Sequence, residues 1–405
     1  MPIGVSWYAL TEPVSASQRH SALAVRGPLF GVAAQDGDRD GGRRWRVVVE
    51  VTHGCPQQAR DVLNSQLWFR AKDQAKTRQE RRALLAAVAR LEKESVDELT
   101  VLGVRYRVVR AEEYAAVDEH GGIETPRPTD PEPLTPDWSP GARSPRVDDG
   151  LVLDPDAPLS PLQAAERVAL RPLAYSGTSF PGPVLADSAR AVESHPDVLL
   201  MSAAFLIVER SGNGPWSPGS GLQATAHDAR RTLDFALTWM EPRTRGLIPY
   251  DADNTVDARR PPTGTTDAAA AELRELAEAA DRLRAGRCDQ VEAHGTVYRI
   301  ARSRRLLRWG PDGPESPRLS ATASSGVWHR FRDESTLSDA RRVAPWLTRA
   351  VSPCAPPTAR DGGPLGYFER VQIWLALRIG RAQSDCLEVW GGLAWADSCA
   401  AQSLS

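Results

Sequence analysis

The stretch VDELTVLGVRYRVVR at residues 96–110 decides the architecture, because most of its pattern returns later in the chain as DQVEAHGTVYRIAR at residues 289–302. The two stretches align at one constant offset in residue number, so that Tyr106 corresponds to Tyr298. A fainter third echo, DCLEVWG, stands at residues 385–391. Self-similarity of this kind is typical of a chain built from recurring structural units.

Apolar and basic residues alternate in the second half of the first stretch, with Tyr106 on one side and Arg107 on the other. This alternation is the period of a strand that buries one face. Gly103 lies just before it and supplies the positive φ that a tight turn needs. We therefore predict a β-hairpin in both copies, with Tyr106 and Tyr298 partly buried and the arginine after each of them exposed.

Helix signals precede both hairpins. Pro56 follows Cys55 in the first copy, and proline is well tolerated at the first position of a helix. In the second copy Thr225 stands three residues before Asp228, a spacing that resembles a capping box. Apolar residues at helical spacing then predict a second helix in each copy, namely Leu84, Leu85, Val88 and Leu91 in the first and Leu276, Ala277, Ala280 and Leu283 in the second.

The predicted fold is α+β, a tandem repeat of a β-β-α-α-β-β unit with two near-complete copies and a shorter, degenerate third. The first unit covers residues 1–128 and the second covers residues 198–320. Between them, residues 129–197 are rich in proline and predict an extended linker with room for a short helix. Residues 321–405 form the Trp-rich third unit.

Composition excludes several classes of protein. The chain has 405 residues, 41% of them hydrophobic and 25% charged, with a net charge of -2 that gives no general attraction to nucleic acid or anionic membrane. The longest apolar stretch, near residues 198–208, is too short for the ~20 residues of a membrane span. The five cysteines are odd in number and lack CxxC spacing. We therefore expect a cytoplasmic protein with reduced thiols and no membrane contact.

No common cofactor or metal motif is present. The sequence lacks the glycine-rich phosphate loop GxxxxGK[ST], the dinucleotide fingerprint GxGxxG and the nucleophile elbow GxSxG. Cysteine and histidine are scattered and do not form a cluster with zinc-ligand spacing. We expect no cofactor and no metal, and no catalytic residue can be named.

One set of basic residues is a candidate binding face. It follows Tyr298 and consists of Arg299, Arg302, Arg304, Arg305 and Arg308. Arginine next to aromatic residues is typical of surfaces that bind nucleic acid. However, Glu112 and Glu113 stand in the first copy where the second has Arg304 and Arg305, which favours a solvated face or a contact between the copies, and nucleic acid is not the expected partner.

The motif VDELTVLGVRYRVVRAEE, continued by ETPRPTDPEP up to residue 133 and repeated at residues 289–317, resembles an actinobacterial family of unknown function. That family is best represented in streptomycetes, and its members carry duplicated units of this kind. The resemblance covers most of residues 28–320. It implies the duplicated layout and no activity.

Three functions remain open. The first is a non-catalytic cytoplasmic interaction or scaffold protein with a protein partner, because the repeated positions are apolar residues, turn glycines, caps and arginines. The second is an enzyme of unfamiliar type with a site between the repeat units, where clefts often form. The third is a nucleic-acid binder that uses the face from Arg299 to Arg308.

Overall fold

The computed structural model describes residues 22–36, 44–139, 141–176, 180–286, 288–318 and 329–331. The chain divides into two compact units, Met1–Pro133 with Pro145–Cys354, and Leu134–Ser144 with Ala355–Ser405. All elements given below belong to the first unit. Apart from His329–Phe331, the predicted third repeat lies outside the described residues.

The described strands and helices follow one another in an α+β order. The strands are β1 (Ala22–Asp36), β2 (Trp45–His53), β3 (Glu98–Val101), β4 (Val104–Val117), β5 (Val152–Leu153), β6 (Asp197–Leu200), β7 (Ala204–Ser211), β8 (Ser217–Pro218), β9 (Gln290–Ala293), β10 (Thr296–Gly310), β11 (Gly313–Pro314) and β12 (His329–Phe331). The helices are α1 (Pro56–Phe69), α2 (Arg78–Lys93), α3 (Pro161–Leu170), α4 (Gly182–Ser194), α5 (Ala226–Phe235), α6 (Glu241–Thr244) and α7 (Asp267–Gly286). Turns of π-helix, Arg70–Gln74 and Ala236–Met240, continue α1 and α5.

The strands form one open antiparallel sheet in the order β5-β2-β1-β4-β10-β7-β8. The long strands β1 and β4 pair along almost their whole length. The N-terminal half of β10 pairs with β7 and β9, and its C-terminal half pairs with β4 and β6. The sheet therefore runs without interruption from the first half of the chain into the second.

The middle of the sheet is a join between β4 and β10. In this join Glu113 lies opposite Arg305, and Tyr114 lies opposite Arg304. Glu113 and Arg305 are separated by the same offset in sequence as Tyr106 and Tyr298. The two strands are antiparallel, and the residues that face each other at Glu113 and Arg305 are equivalent in the two copies of the motif. β1 pairs with the other edge of β4, and β7 pairs with the other edge of β10.

Both predicted hairpins are confirmed. β3 pairs with β4, and β9 pairs with β10. Leu102 and Gly103 turn the first hairpin with φ of 52° and 77°, and His294 and Gly295 turn the second with φ of 50° and 70°. The tyrosines of these hairpins are buried as predicted, with exposed fractions of 7% for Tyr106 and 6% for Tyr298.

Helices α1 and α2 cover one face of the first half of the sheet. Phe30 and Val32 of β1 pack in one cluster with Leu63 of α1 and Leu84 of α2, whereas Leu29 and Ala33 of β1 belong to a cluster on the other face. Alternation along the strand causes this division. Each such side chain contributes about 1.5–3 kcal/mol by leaving water. In the second half, α5 packs against β7 and α7 against β9.

The predicted helix starts are also confirmed. The hydroxyl of Thr225 accepts a hydrogen bond of 3.0 Å from the backbone N–H of Asp228 and caps α5. Helix α1 begins at Pro56, and the side chain of Cys55 makes no capping bond. Thr77 caps α2 in the same way as Thr225 caps α5. Capping residues of this kind contribute about 1 kcal/mol each.

Most of the proline-rich segment 129–197 is folded against the sheet. From Pro145 onward it belongs to the same compact unit as the sheet and forms β5, α3 and α4. Leu170 and Leu173 are buried in a cluster with Val198 of β6. This part of the chain contains the short helix for which the prediction left room, but it is not an extended spacer, because its apolar side chains pack on the sheet.

Within the described residues, no helix is both long enough and apolar enough to span a membrane.

Candidate functional site

The five arginines predicted as a binding face do not form one exposed surface. Arg305 and Arg308 are fully buried, with exposed fractions of 0% and 1%. Arg305 donates to Asp148 at 2.7 Å, and Arg308 donates to backbone carbonyls, including that of Arg171 at 3.2 Å. The prediction that Arg305 and Arg308 belong to an exposed binding face is therefore wrong, because their guanidinium groups make contacts inside the protein.

The other three arginines are partly exposed and are also paired. Arg302 donates to Asp130 at 2.9 Å, and Arg304 pairs with Glu166 of α3. Arg299 donates to Gln290 at 2.7 Å and stacks over the ring of Trp216 at 4.7 Å. The side chains of these arginines therefore bind neighbouring segments of the chain to β10.

Arg107 is buried, with an exposed fraction of 5%, so the prediction that it is exposed is wrong. It donates to Glu98 at 2.8 Å and to the backbone carbonyls of Asp312 and Pro314 at 3.0 and 3.1 Å. Its guanidinium also lies over the ring of Trp45 at 5.1 Å. The distant segment around Pro314 covers the strand face that local alternation assigns to solvent. Arg299, for which exposure was also predicted, is half-buried.

Two short segments of the form Glu-[Thr/Ser]-Pro-Arg cross between the halves of the sheet. They are residues 124–127 and residues 315–318. The carbonyl of Glu124 accepts from the N–H of Arg302 at 2.7 Å, and the carbonyl of Glu315 accepts from the N–H of Arg110 at 2.9 Å. Each segment thus binds the long strand of the other half.

The arginine of each crossing segment holds the glutamate of the same segment. Arg127 donates to Glu124 at 2.6 Å, and Arg318 donates to Glu315 at 2.6 Å. The repetition of ETPR as ESPR could have identified these residues from the sequence alone.

A charged cleft of about 570 Å³ lies beside the second crossing segment. Its size is in the range of sites that take small ligands or parts of larger ones. Helix α4, the β3–β4 hairpin and the chain after β10 form its walls. The lining consists of Glu98, Arg107, Asp187, Arg190, Ala191, Ser194, His195, Asp312, Glu315, Ser316, Pro317 and Arg318.

Arg318 is one of the largely buried cations of this charged cleft. Its side chain is only 9% exposed, and its Nε and Nη2 donate to Glu315 at 2.6 and 3.2 Å. Its Nη1 is buried and has no hydrogen-bond partner. A buried donor without a partner costs about 1–3 kcal/mol.

A buried polar network stands behind Arg318. Glu112 accepts two bonds from Arg110, at 2.8 and 3.0 Å, and a further bond from the hydroxyl of Tyr175. Burial alone would raise the pKa of Glu112, but the charges of Arg110 and Arg318 outweigh it and the pKa is lowered. Burial and the neighbouring Glu112 raise the pKa of Tyr175, so this residue stays a hydrogen-bond donor.

Glu98 and His195, in the walls of the charged cleft, both have lowered pKa values. Burial opposes ionisation of Glu98, but hydrogen bonds from Arg105 and Arg107 prevail and lower its pKa. Burial lowers the pKa of His195, and this effect outweighs the charge of Glu315, which acts in the opposite direction. Gly310 makes room for the imidazole, since a Cβ there would lie 2.7 Å from Cδ2 of His195.

One nucleophile lies next to that imidazole. The Oγ atom of Ser194 is 2.9 Å from Nδ1 of His195 and 3.0 Å from the carbonyl oxygen of Arg190, and its one hydroxyl proton can be donated to either acceptor. No group of three or more histidine, cysteine, aspartate or glutamate side chains in the described part of the chain could hold a metal ion.

Residues 4–324 match the model of a family of unknown function, DUF5954. The chain belongs to this family. No curated protein and no solved structure matches it. The matched range includes both hairpins, both crossing segments and the complete lining of the charged cleft. These features are therefore in the DUF5954 region, and the actinobacterial origin inferred from the sequence stays a prediction.

Proposed function

We propose that this DUF5954 protein is a non-catalytic cytoplasmic interaction protein, made of two duplicated α+β units, that binds a protein partner in the charged cleft. The observation that carries the proposal is the cleft itself. It is open, it has about 570 Å³ of space, and charged side chains of both signs line it. Free thiols at Cys55 and Cys288 are compatible with a reducing compartment.

Duplication is supported by matched contacts on either side of the join between β4 and β10. Arg60 of α1 pairs with Asp97 at 2.6 Å, and Arg230 of α5 pairs with Asp289 at 2.6 Å. In each case the arginine is the fifth residue of a helix and the aspartate precedes a hairpin. With the crossing segments, these pairs favour two copies of one unit placed about a pseudo-twofold axis.

Binding, as opposed to proton-transfer chemistry, is supported by the state of the groups in the charged cleft. A general acid needs a carboxyl group whose pKa is raised toward neutrality. The pKa of Glu98 is lowered instead, and its bonds to Arg105 and Arg107 hold it as a fixed anion. Charged groups held in this way suit recognition of a polar surface.

Affinity capture from the native host with two tryptophan variants tests the proposal. Ser194 is exposed and lines the charged cleft, so Ser194→Trp fills the cleft without entering the core. Glu193 is the preceding residue of α4, is also exposed and does not line the cleft, so Glu193→Trp is the matched control. We expect Ser194→Trp to lose a partner that the wild type and Glu193→Trp both retain. Equal capture by all three proteins would contradict the proposal.

The enzyme alternative is favoured by one observation, the contact between Ser194 and His195. A serine activated by histidine is the basis of many acyl-transfer sites. Labelling with a fluorophosphonate tests this alternative directly. Covalent modification of Ser194 that His195→Gln abolishes would replace the interaction proposal with a hydrolytic or acyl-transfer function.

A further inference from the structure

In the first half of the sheet, a buried tryptophan carries two arginines whose charges are neutralised within the chain. The guanidinium groups of Arg105 and Arg107 lie 5.3 and 5.1 Å from the centre of the Trp45 ring. Glu98 of β3 accepts from Nε of Arg105 at 2.5 Å and from Nε of Arg107 at 2.8 Å. Asp312 lies 3.5 Å from Arg107. Two carboxylates therefore balance two cations in this half.

The second half contains a similar group of side chains, but an amide takes the place of the bridging carboxylate. The guanidinium groups of Arg210 and Arg299 lie 4.6 and 4.7 Å from the centre of the Trp216 ring. Gln290 of β9 stands opposite Arg299 in the strand pair that matches the position of Glu98. Its side-chain oxygen accepts from Arg299 at 2.7 and 2.9 Å. An amide accepts hydrogen bonds but carries no charge to offset that of an arginine.

Arg210 is the less compensated of these two cations. Its guanidinium makes no hydrogen bond and no ion pair with another residue of the described part of the chain. Its Nε is buried without a partner, whereas the residue as a whole is partly exposed, so solvent reaches the terminal nitrogens Nη1 and Nη2. Glu292 of β9 is separated from Arg210 by the strand that carries Val297, which is two strand spacings or about 9–10 Å.

The electrostatics of the two groups differ in direction. The hydrogen bond to Glu98 raises the pKa of Arg105. Burial lowers the pKa of Arg299, and the charge of Arg210 adds to this effect, while Asp118 acts in the opposite direction without offsetting it. Asp118 also accepts from backbone N–H groups of its own turn. The second group therefore keeps an excess of positive charge.

We propose that Arg210 and Arg299 bind a carboxylate from outside the chain, in place of the internal one that Glu98 supplies in the first half. The terminal nitrogens of Arg210 donate to this carboxylate, and Arg299 attracts it through its charge. A guanidinium matches the two planar oxygens of a carboxylate, and the first half shows one carboxylate bridging two guanidinium groups beside a tryptophan. None of these second-half residues lines the charged cleft, so the inference goes beyond the proposed function.

Urea unfolding of the whole chain in sodium acetate, compared with sodium chloride at the same concentration, tests the site. A ligand that binds only the folded protein raises the midpoint of unfolding. At about ten times its Kd, acetate should raise the wild-type midpoint by about 0.5 M relative to chloride. The titration with acetate gives the Kd, and Arg210→Gln should lose most of the response.

A matched pair of variants tests the role of the missing charge. Gln290→Glu supplies the carboxylate from within the chain and should abolish the response to acetate, while the protein stays folded in chloride. Gln79→Glu makes the same change at an exposed position of α2 and should keep the full wild-type response. Equal responses of the wild type, Arg210→Gln and Gln290→Glu would overturn the inference, and so would the lack of any wild-type response.

Two further ligands identify the source of the carboxylate. A blocked tripeptide with one central glutamate that acts as strongly as acetate would assign the site to an acidic side chain of another protein. A response to acetate without a response to this peptide would assign it to a free organic acid. A phosphate response that exceeds the acetate response and is lost in Gln290→Glu would contradict the choice of a carboxylate.

Discussion

Removal of the Asp148 carboxylate should destabilise the protein strongly. Asp148 and Arg305 form an ion pair of 2.7 Å in which both side chains are 0% exposed. The same carboxylate oxygen accepts from the N–H of Val51 on β2 at 2.8 Å. One side chain of the segment that precedes β5 thus neutralises a charge at the centre of the sheet and satisfies a strand donor.

The expected magnitude follows from what Asp148→Ala leaves behind. Removing one partner of a buried pair costs about 3–5 kcal/mol, because the remaining charge is uncompensated. The unmet N–H of Val51 adds to this, although part of its cost is already counted in the pair. We expect a loss of about 4 kcal/mol, which at a slope near 3 kcal/mol per M urea lowers the midpoint of unfolding by more than about 1 M.

Urea unfolding of the whole chain, followed by tryptophan fluorescence and circular dichroism, measures the effect. Asp149→Ala is the matched control, because Asp149 is the next residue and is exposed. The double variant Asp148→Leu/Arg305→Met should recover part of the loss, since no charge is then left buried. A midpoint for Asp148→Ala within about 0.3 M of the Asp149→Ala midpoint would refute the reasoning.

Three further predictions concern the turn, the sheet and the pH dependence. Leu102→Gly should raise the thermal midpoint by about 1–3 °C in a melting experiment, because Leu102 has φ of 52° and is exposed, so glycine relieves strain at little loss of packing. Gly31→Ala should abolish soluble expression or lower the free energy of unfolding by about 3 kcal/mol or more, because a Cβ there would lie 2.6 Å from the carbonyl oxygen of Val49. Gly54→Ala is the control and should fold normally, because its Cβ would meet only the end of a glutamine side chain at 4.0 Å. Burial lowers the pKa of His53, so the unfolded chain takes up a proton at this residue at a higher pH than the folded protein does. The free energy of unfolding should therefore fall as the pH decreases below about 6.5. Between pH 7 and pH 5, the urea midpoint of His53→Gln should fall less steeply than that of the wild type.

Local pattern predicted the parts of the fold that depend on neighbours in sequence. The alternation around Tyr106 and the positive φ available to Gly103 are enough to specify a hairpin, and the spacing of Thr225 and Asp228 is enough to begin a helix. Each of these features is decided within a few residues. The sequence therefore predicted both hairpins, the buried tyrosines and the starts of α1 and α5.

Contacts between distant segments limited the prediction of the site. Alternation assigns Arg107 to solvent, and nothing near it in sequence indicates that Pro314 covers it. Arg305 looks like one of a run of exposed cations until Asp148 is placed against it. The sequence did not predict the charged cleft, because its walls come from segments far apart in the chain, namely α4, the first hairpin and the chain after β10.

The crossing segments also determine how the two halves depend on each other. The carbonyl of Glu315 accepts a hydrogen bond from the backbone N–H of Arg110, and the carbonyl of Glu124 accepts one from that of Arg302. Each half therefore supplies a backbone acceptor to the long strand of the other half. If the halves arose by duplication, a single-copy ancestor would have exchanged these arms between two identical chains, as a swapped homodimer. The modern chain would then be that dimer joined in one polypeptide. Covalent linkage frees the two halves to diverge, so that one crossing arm can remain purely structural while the other comes to border an open cleft.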